Sequence, residues 1–259
     1  MNAADSRATP NPFDFSGQTA AVTGASRGIG AAVAEGFLRG GANVLALQRS
    51  PVQDDLTELA ARFGVSVTHV PVDLSSEASV AAAIAESLSG RQVDILVNNA
   101  GTQIRHDSAE FPLSDFDEVW MINGRSVFHL CQGFGSPMLE RGAGKIVNIA
   151  SLLSFQGGLR VPAYAAAKGA VAQFTKSLCN EWAARGVNVN AVAPGYVATD
   201  MNEALLEDAE RFEQISVRIP AGRWASGADI AGAVHFLCSP AAAYVHGIVL
   251  PVDGGWLAR

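Results

Sequence analysis

Three side chains in this sequence stand at spacings that could move a proton. Tyr164 and Lys168 are four residues apart on an alanine-rich segment opened by Pro162, the pattern of a helix entry. A spacing of i, i+4 puts both on one helical face. A free phenol titrates at about 10 and a free lysine at about 10.4. An ammonium beside the phenol would favour phenolate and lower the Tyr164 pKa, tuning it toward general acid/base work. Ser151 follows the apolar run from Lys145 to Ala150, so it should sit at the carboxyl end of a buried strand, where open α/β sheets place their ligands. Its hydroxyl would there fix a reacting oxygen. A Tyr and Lys at this spacing occur on many surface helices, so the surrounding elements must decide.

Those elements alternate. Apolar runs predict strands over 19–23, 43–48, 67–72, 94–98, 145–150, 187–193 and 248–252. Helical spacing covers 28–39, 52–63, 76–88, 113–139, 162–185 and 228–237. Repeated β-α-β units with right-handed crossovers predict an α/β chain, a single doubly wound parallel seven-stranded sheet of Rossmann type with helices on both faces. Residues 1–15 read as a flexible tail before one domain over 16–259. The stretch 196–223 is longer and more polar than an ordinary connection, carries MNEALLEDAERF as a small helix, and reads as a lid.

The first βα turn, TAAVTGASRGIG, ends a strand at Thr23-Gly24 and opens a helix at Gly28 and Gly30. Glycines there allow positive φ and close backbone approach, so a pyrophosphate can rest on the helix N-terminus. The next strand ends Leu47-Gln48-Arg49-Ser50 and offers no acid for a ribose 2′-hydroxyl. Arg49, with Arg27 from the glycine turn, would instead meet a 2′-phosphate, which favours NADP(H) and leaves NAD possible.

Composition excludes other classes. The 259 residues carry a net charge of −7, which argues against nucleic acid as the main partner. No run of 18 apolar residues and no secretory leader is seen, so a cytoplasmic protein without a membrane partner is expected. Cys131, Cys179 and Cys238 are widely spaced and read as reduced thiols, and the five histidines form no metal-ligand cluster. An aldonic acid substrate would need a cation. Arg105 and Arg160 are the candidates for holding a carboxylate, with Gln156 for hydroxyls, while Arg223 lies at the far end of the lid and His106 reads as a polar loop residue.

TGASRGIG, Asn98-Asn99-Ala100-Gly101, Asn123, Ser151, Tyr164 with Lys168, and Pro194-Gly195 together resemble the short-chain dehydrogenase/reductases over about residues 15–259. That resemblance implies that Ser151, Tyr164 and Lys168 are catalytic, with Asn123 completing a tetrad by holding a water in a proton relay. It implies cofactor contacts from Gly24, Ser26, Arg27, Gly28, Ile29 and Gly30, from Gln48 and Arg49, and from Asp73 and Leu74 at the adenine. Asn99, Ala100 and Gly101 would line the adenosine ribose, and Pro194, Gly195, Val197 and Thr199 the nicotinamide end. SLLSFQGGLRVPAY, VNVNAVAPGYVAT, RIPAGRW and the terminal VDGGWLAR are similar to the sugar-acid dehydrogenases of the 2-deoxy-D-gluconate 3-dehydrogenase and 2-dehydro-3-deoxy-D-gluconate 5-dehydrogenase types, with gluconate 5-dehydrogenases as close relatives. The deoxy-sugar-acid enzymes generally use NAD, whereas Gln48 and Arg49 suggest NADP. The family also implies a homotetramer. A reductase of 3-oxoacyl or other ketone substrates on the same scaffold, and a non-catalytic NADP sensor, are the alternatives.

Overall fold

The computed structural model describes residues 11–259; the expected tail over residues 1–10 lies outside them. Seven strands form one parallel sheet: β1 Thr19–Thr23, β2 Asn43–Gln48, β3 Val67–Pro71, β4 Ile95–Asn98, β5 Gly144–Ile149, β6 Val187–Pro194 and β7 Val249–Val252. Their order is β3-β2-β1-β4-β5-β6-β7. The middle strands are buried on both faces, as continuous runs such as TAAVT and ILVN require. The order reverses between β1 and β4, where Ala20–Val22 lie beside Ile95–Val97, and the crevice at such a switch point is where this architecture binds ligands.

The helices are α1 Gly28–Arg39, α2 Asp54–Arg62, α3 Glu77–Leu88, α4 Leu113–Trp120, α5 Ser126–Arg141, α6 Pro162–Trp182, α7 Glu203–Leu206, α8 Ala209–Ser216 and α9 Gly227–Cys238. Side chains of α1, α2 and α9, such as Phe37, Leu56 and Val234, pack on one face of the sheet. Those of α3, α5 and α6, such as Val80, Phe134 and Val171, pack on the other. Pro162 starts α6 in the first turn, and Ser226 with Asp229 forms a capping box on α9. Among the described residues, no helix is long and apolar enough to cross a membrane.

Three sequence expectations are corrected. The tail does not extend to residue 15: Phe15 is 1% exposed, packs edge-on against Phe37 at 5.0 Å between ring centroids, and its N–H donates to the Gly40 carbonyl at 2.7 Å. The single helix expected over 113–139 is two helices joined by a π turn at Met121–Arg125. There the Ser126 N–H reaches back five residues to the Met121 carbonyl, and the Ser126 hydroxyl donates to the Ile122 carbonyl at 2.7 Å. Periodicity does not register one extra residue in a turn, though such bulges concentrate at functional sites. The small helix expected in the lid is a 3-10 turn, Asp200–Asn202, followed by α7 and α8.

Candidate active site

Every strand from β1 to β6 delivers residues to one edge of the sheet, where a cleft of about 1360 Å³ opens. Ser151, Tyr164 and Lys168 share its wall with Arg105, Gln156 and all the cofactor candidates except Gly30. Gly30 lies beneath the turn: a Cβ there would collide with the Gly24 carbonyl oxygen and come within 2.5 Å of Asn99 Nδ2. Gly24 and Gly28 hold φ of 66° and 56°, the left-handed region that a side chain disfavours. Thr23 fixes the facing loop, its hydroxyl accepting from Asn99 N at 2.9 Å and Ala100 N at 3.0 Å. Sequence reasoning did not single out Thr23, although a hydroxyl at the last strand position before the glycine was visible.

Ser151, two residues past the end of β5, caps a 3-10 turn, accepting from the Leu153 N–H at 3.1 Å. Ser154, also not singled out, joins that turn to α6: its hydroxyl donates to the Lys168 carbonyl at 2.7 Å and accepts from Ser151 N at 3.3 Å. The seryl end of the site is thus tied to the tyrosyl helix.

Lys168 is 3% exposed, and its ammonium donates to the Ile149 carbonyl at 2.6 Å. Loss of water pulls its pKa from 10.5 to about 8. It lies over the Tyr164 ring, 5.6 Å from the centroid. The expected lowering of the phenol is therefore corrected. Burial pushes Tyr164 up, with the Ser151 hydroxyl pulling against it. The ammonium is turned to a backbone carbonyl beside the ring face, and burial weakens its own charged state.

Asn123 sits in the π turn, fully buried. Its amide donates to the Thr102 carbonyl at 2.8 Å and the Val119 carbonyl at 2.9 Å, and its Oδ1 accepts from Thr102 N at 3.1 Å. Both donors are spent on backbone, which leaves the side chain one lone pair on Oδ1. Asn123 is not on the cleft wall and locks the loop after β4 in place.

At the other end of the cleft, Gln48 Nε2 donates to the Ser50 and Pro51 carbonyls at 3.0 and 3.1 Å, while Gln48 Oε1 and Gln53 Oε1 are buried without a partner among the described residues. Asp73 is kept below the ordinary carboxylate range by hydrogen bonds from the Ser75 hydroxyl and N–H. Arg49 is exposed on the wall; Arg27 pairs with Asp200 of the lid at 2.5 Å. An N-terminus of α1 with no side-chain cap, a glycine cradle and two orphaned acceptors make a site that fits a dinucleotide.

The arginines divide. Arg105 is on the wall, with Nη2 donating to Gln103 Oε1 at 2.9 Å. Arg160 is not: its Nε pairs with Asp107 at 2.9 Å and its backbone takes φ 65°. That exposed pair holds the side chain to the loop after β4, so the substrate grip expected of it requires the pair with Asp107 to open. Arg223 pairs with Asp229 at 2.7 Å. Arg211, Gln214, Arg218 and Trp256 line the cleft unforeseen; as exposed polar lid residues and a terminal aromatic, they carry no spacing signal. His106 pairs with Asp115 at 2.7 Å.

Residues 24–257 match a family model described as Enoyl-(Acyl carrier protein) reductase. A 2-dehydro-3-deoxy-D-gluconate 5-dehydrogenase of Bacillus subtilis (strain 168) is 46% identical over 95% of this chain and 97% of its own. A structure from Beutenbergia cavernae, provisionally described as an NAD(P)-dependent gluconate 5-dehydrogenase with NADP bound at low occupancy, is 49% identical with a TM-score of 0.93, covering 96% of this chain and 100% of that one. A structure from Agrobacterium tumefaciens, provisionally described as a 2-deoxy-D-gluconate 3-dehydrogenase with NADP bound, is 50% identical with a TM-score of 0.90 over 96% and 100%.

Proposed function

The chain belongs to the short-chain dehydrogenase/reductase family, and on that premise we propose that it interconverts a secondary alcohol and a ketone on a sugar acid, preferring NADP(H) and using Tyr164 as general acid/base. The observation that carries this reading is the convergence of Ser151, Tyr164 and Lys168 on one wall of a cleft that runs from the glycine turn to the arginines of the lid.

The cofactor would rest on Gly24 to Gly30, with Arg49 and Arg27 toward the 2′-phosphate, Asp73 and Leu74 at the adenine, Asn99 to Gly101 along the ribose, and Pro194 to Thr199 at the nicotinamide. When bound, it supplies the hydride acceptor or donor. In oxidation Tyr164 takes the proton from the substrate hydroxyl; in reduction it returns it. Ser151 aligns that oxygen by a hydrogen bond. Lys168 backs the phenol and would donate to the ribose hydroxyls of the bound cofactor, and Asn123 holds the loop after β4. Arg27 is exposed in its pair with Asp200, so exchanging that carboxylate for a phosphate costs little. Residues 196–223 act as the substrate lid of a single domain over 16–259. A homotetramer in the cytoplasm completes the reading; the exposed Phe128, edge-on against Phe174, gives α5 and α6 an apolar spot that a subunit contact would cover.

The test is a panel of initial rates: D-gluconate, 2-deoxy-D-gluconate and 2-keto-3-deoxygluconate with NADP+ and NAD+, and 5-keto-D-gluconate with NADPH and NADH. Activity on one acid, higher with NADP(H), is expected. Activity confined to an acetoacetyl thioester would move the chain to the acyl reductases.

A further inference from the structure

Three of the arginines near the cleft are already matched. Arg27 has Asp200, Arg160 has Asp107 and Arg223 has Asp229. Arg211 is tied through Gln214 to Glu210. Arg218 is different: it lines the cleft, forms no ion pair among the described residues, and lies with its guanidinium carbon 3.9 Å from the centre of the Trp256 ring. At that distance the planar cation is stacked on the indole face.

Its surroundings make it a fixture. Ile215 and Ile219, three before and one after, are 4% exposed and join Trp224, Trp256 and Leu152 in an apolar cluster under the lid. The Arg218 N–H donates to the Ile215 carbonyl at 3.1 Å, and the Ile219 N–H to the Ser216 carbonyl at 3.2 Å. The Val217 carbonyl accepts from Arg259, and the Ala221 N–H reaches the Gly254 carbonyl at 2.9 Å. The ring beneath is equally fixed: Trp256 is 4% exposed, sits 4.8 Å from Tyr196, and directs Nε1 at Gln156 Oε1, 3.4 Å away. A cation held by its stack, with its N–H fork unspent among the described residues, is preorganised for an anion that enters the cleft.

We propose that Arg218 is the residue that grips the carboxylate of the substrate, with Trp256 and Gln156 as the platform that positions it, so that the lid selects acids over neutral polyols. This rests on the sugar-acid reading above. Arg105, on the loop after β4, stands on the same wall but is exposed and engaged with Gln103.

The experiment compares the wild type with R218Q and R218K on the sugar acid that the panel selects and on its neutral primary amide, together with NADP+ binding by fluorescence titration. Loss of a charge-assisted contact predicts that R218Q raises KM for the acid by roughly 10- to 100-fold, leaves activity on the amide within about twofold, and leaves NADP+ affinity unchanged. R218K should fall between, because it keeps the charge and loses the fork. If R218Q weakens acid and amide equally, Arg218 only supports the lid and the proposal fails. If acid-over-amide preference is unchanged in R218Q, the carboxylate is held elsewhere and the proposal also fails. A wild type that turns over no sugar acid overturns the functional reading, and the grip with it.

Discussion

The buried lysine sets a measurable cost on the fold. Lys168 is 3% exposed and its pKa drops from 10.5 to about 8 on burial. Each unit is about 1.36 kcal/mol, so holding the charged form in the folded protein costs about 3 kcal/mol at neutral pH. Below about pH 8 both folded and unfolded chains carry the proton, and the cost is fully present. Between about 8 and 10.5 the unfolded chain binds more protons than the folded one, so this group makes stability rise with pH. Replacing Lys168 by Met removes that cost and strands the Ile149 carbonyl that now accepts at 2.6 Å, a loss of about 1–3 kcal/mol. The variant should therefore match or exceed the wild type in stability at about pH 7 and fall below it at about pH 10.5. The assay is urea unfolding of both proteins at equal concentration, followed by tryptophan fluorescence. Taking the difference between them cancels the other titrating groups. The difference should swing by about 3 kcal/mol across the window. A difference that stays constant with pH would refute the argument that desolvation governs Lys168.

Two further outcomes follow from the same geometry. Because burial raises the Tyr164 pKa, the oxidation rate should climb as pH rises into the alkaline range while the reduction rate falls; an oxidation profile flat between about pH 6 and 10 contradicts this. Gly30→Ala drives a methyl into the Gly24 carbonyl and to 2.5 Å from Asn99 Nδ2. Backbone cannot step aside cheaply, so a loss of about 1–3 kcal/mol and at least a tenfold weaker NADP+ dissociation constant are expected by calorimetry; wild-type affinity would show that the turn is not the cofactor's cradle.

The strands and their order were legible because a parallel sheet buried on both faces writes itself as short continuous apolar runs, and β1 and β2 have the expected bounds. The convergence of Ser151, Tyr164 and Lys168 followed from strand-end and helix-face logic. What periodicity could not carry was anything set by a single backbone bond or by contacts distant in sequence. The π turn that buries Asn123 adds one residue to a turn without altering the apolar pattern. The direction of the Lys168 ammonium depends on the Ile149 carbonyl, nineteen residues away, so the simple expectation of a lowered phenol inverted. Arg160 reads as a substrate ligand by position, and its pairing with Asp107, fifty-three residues earlier, has no signal in the sequence. Arg218 and Trp256 meet only because the lid folds onto the C-terminal turn.

The central claim is that Tyr164 moves the substrate's proton, and its most direct test is the turnover of Tyr164→Phe on the preferred sugar acid with NADP+, alongside NADP+ binding. The expected result is a fall in kcat of roughly 10²- to 10⁴-fold with cofactor affinity unchanged. Turnover close to that of the wild type would contradict it.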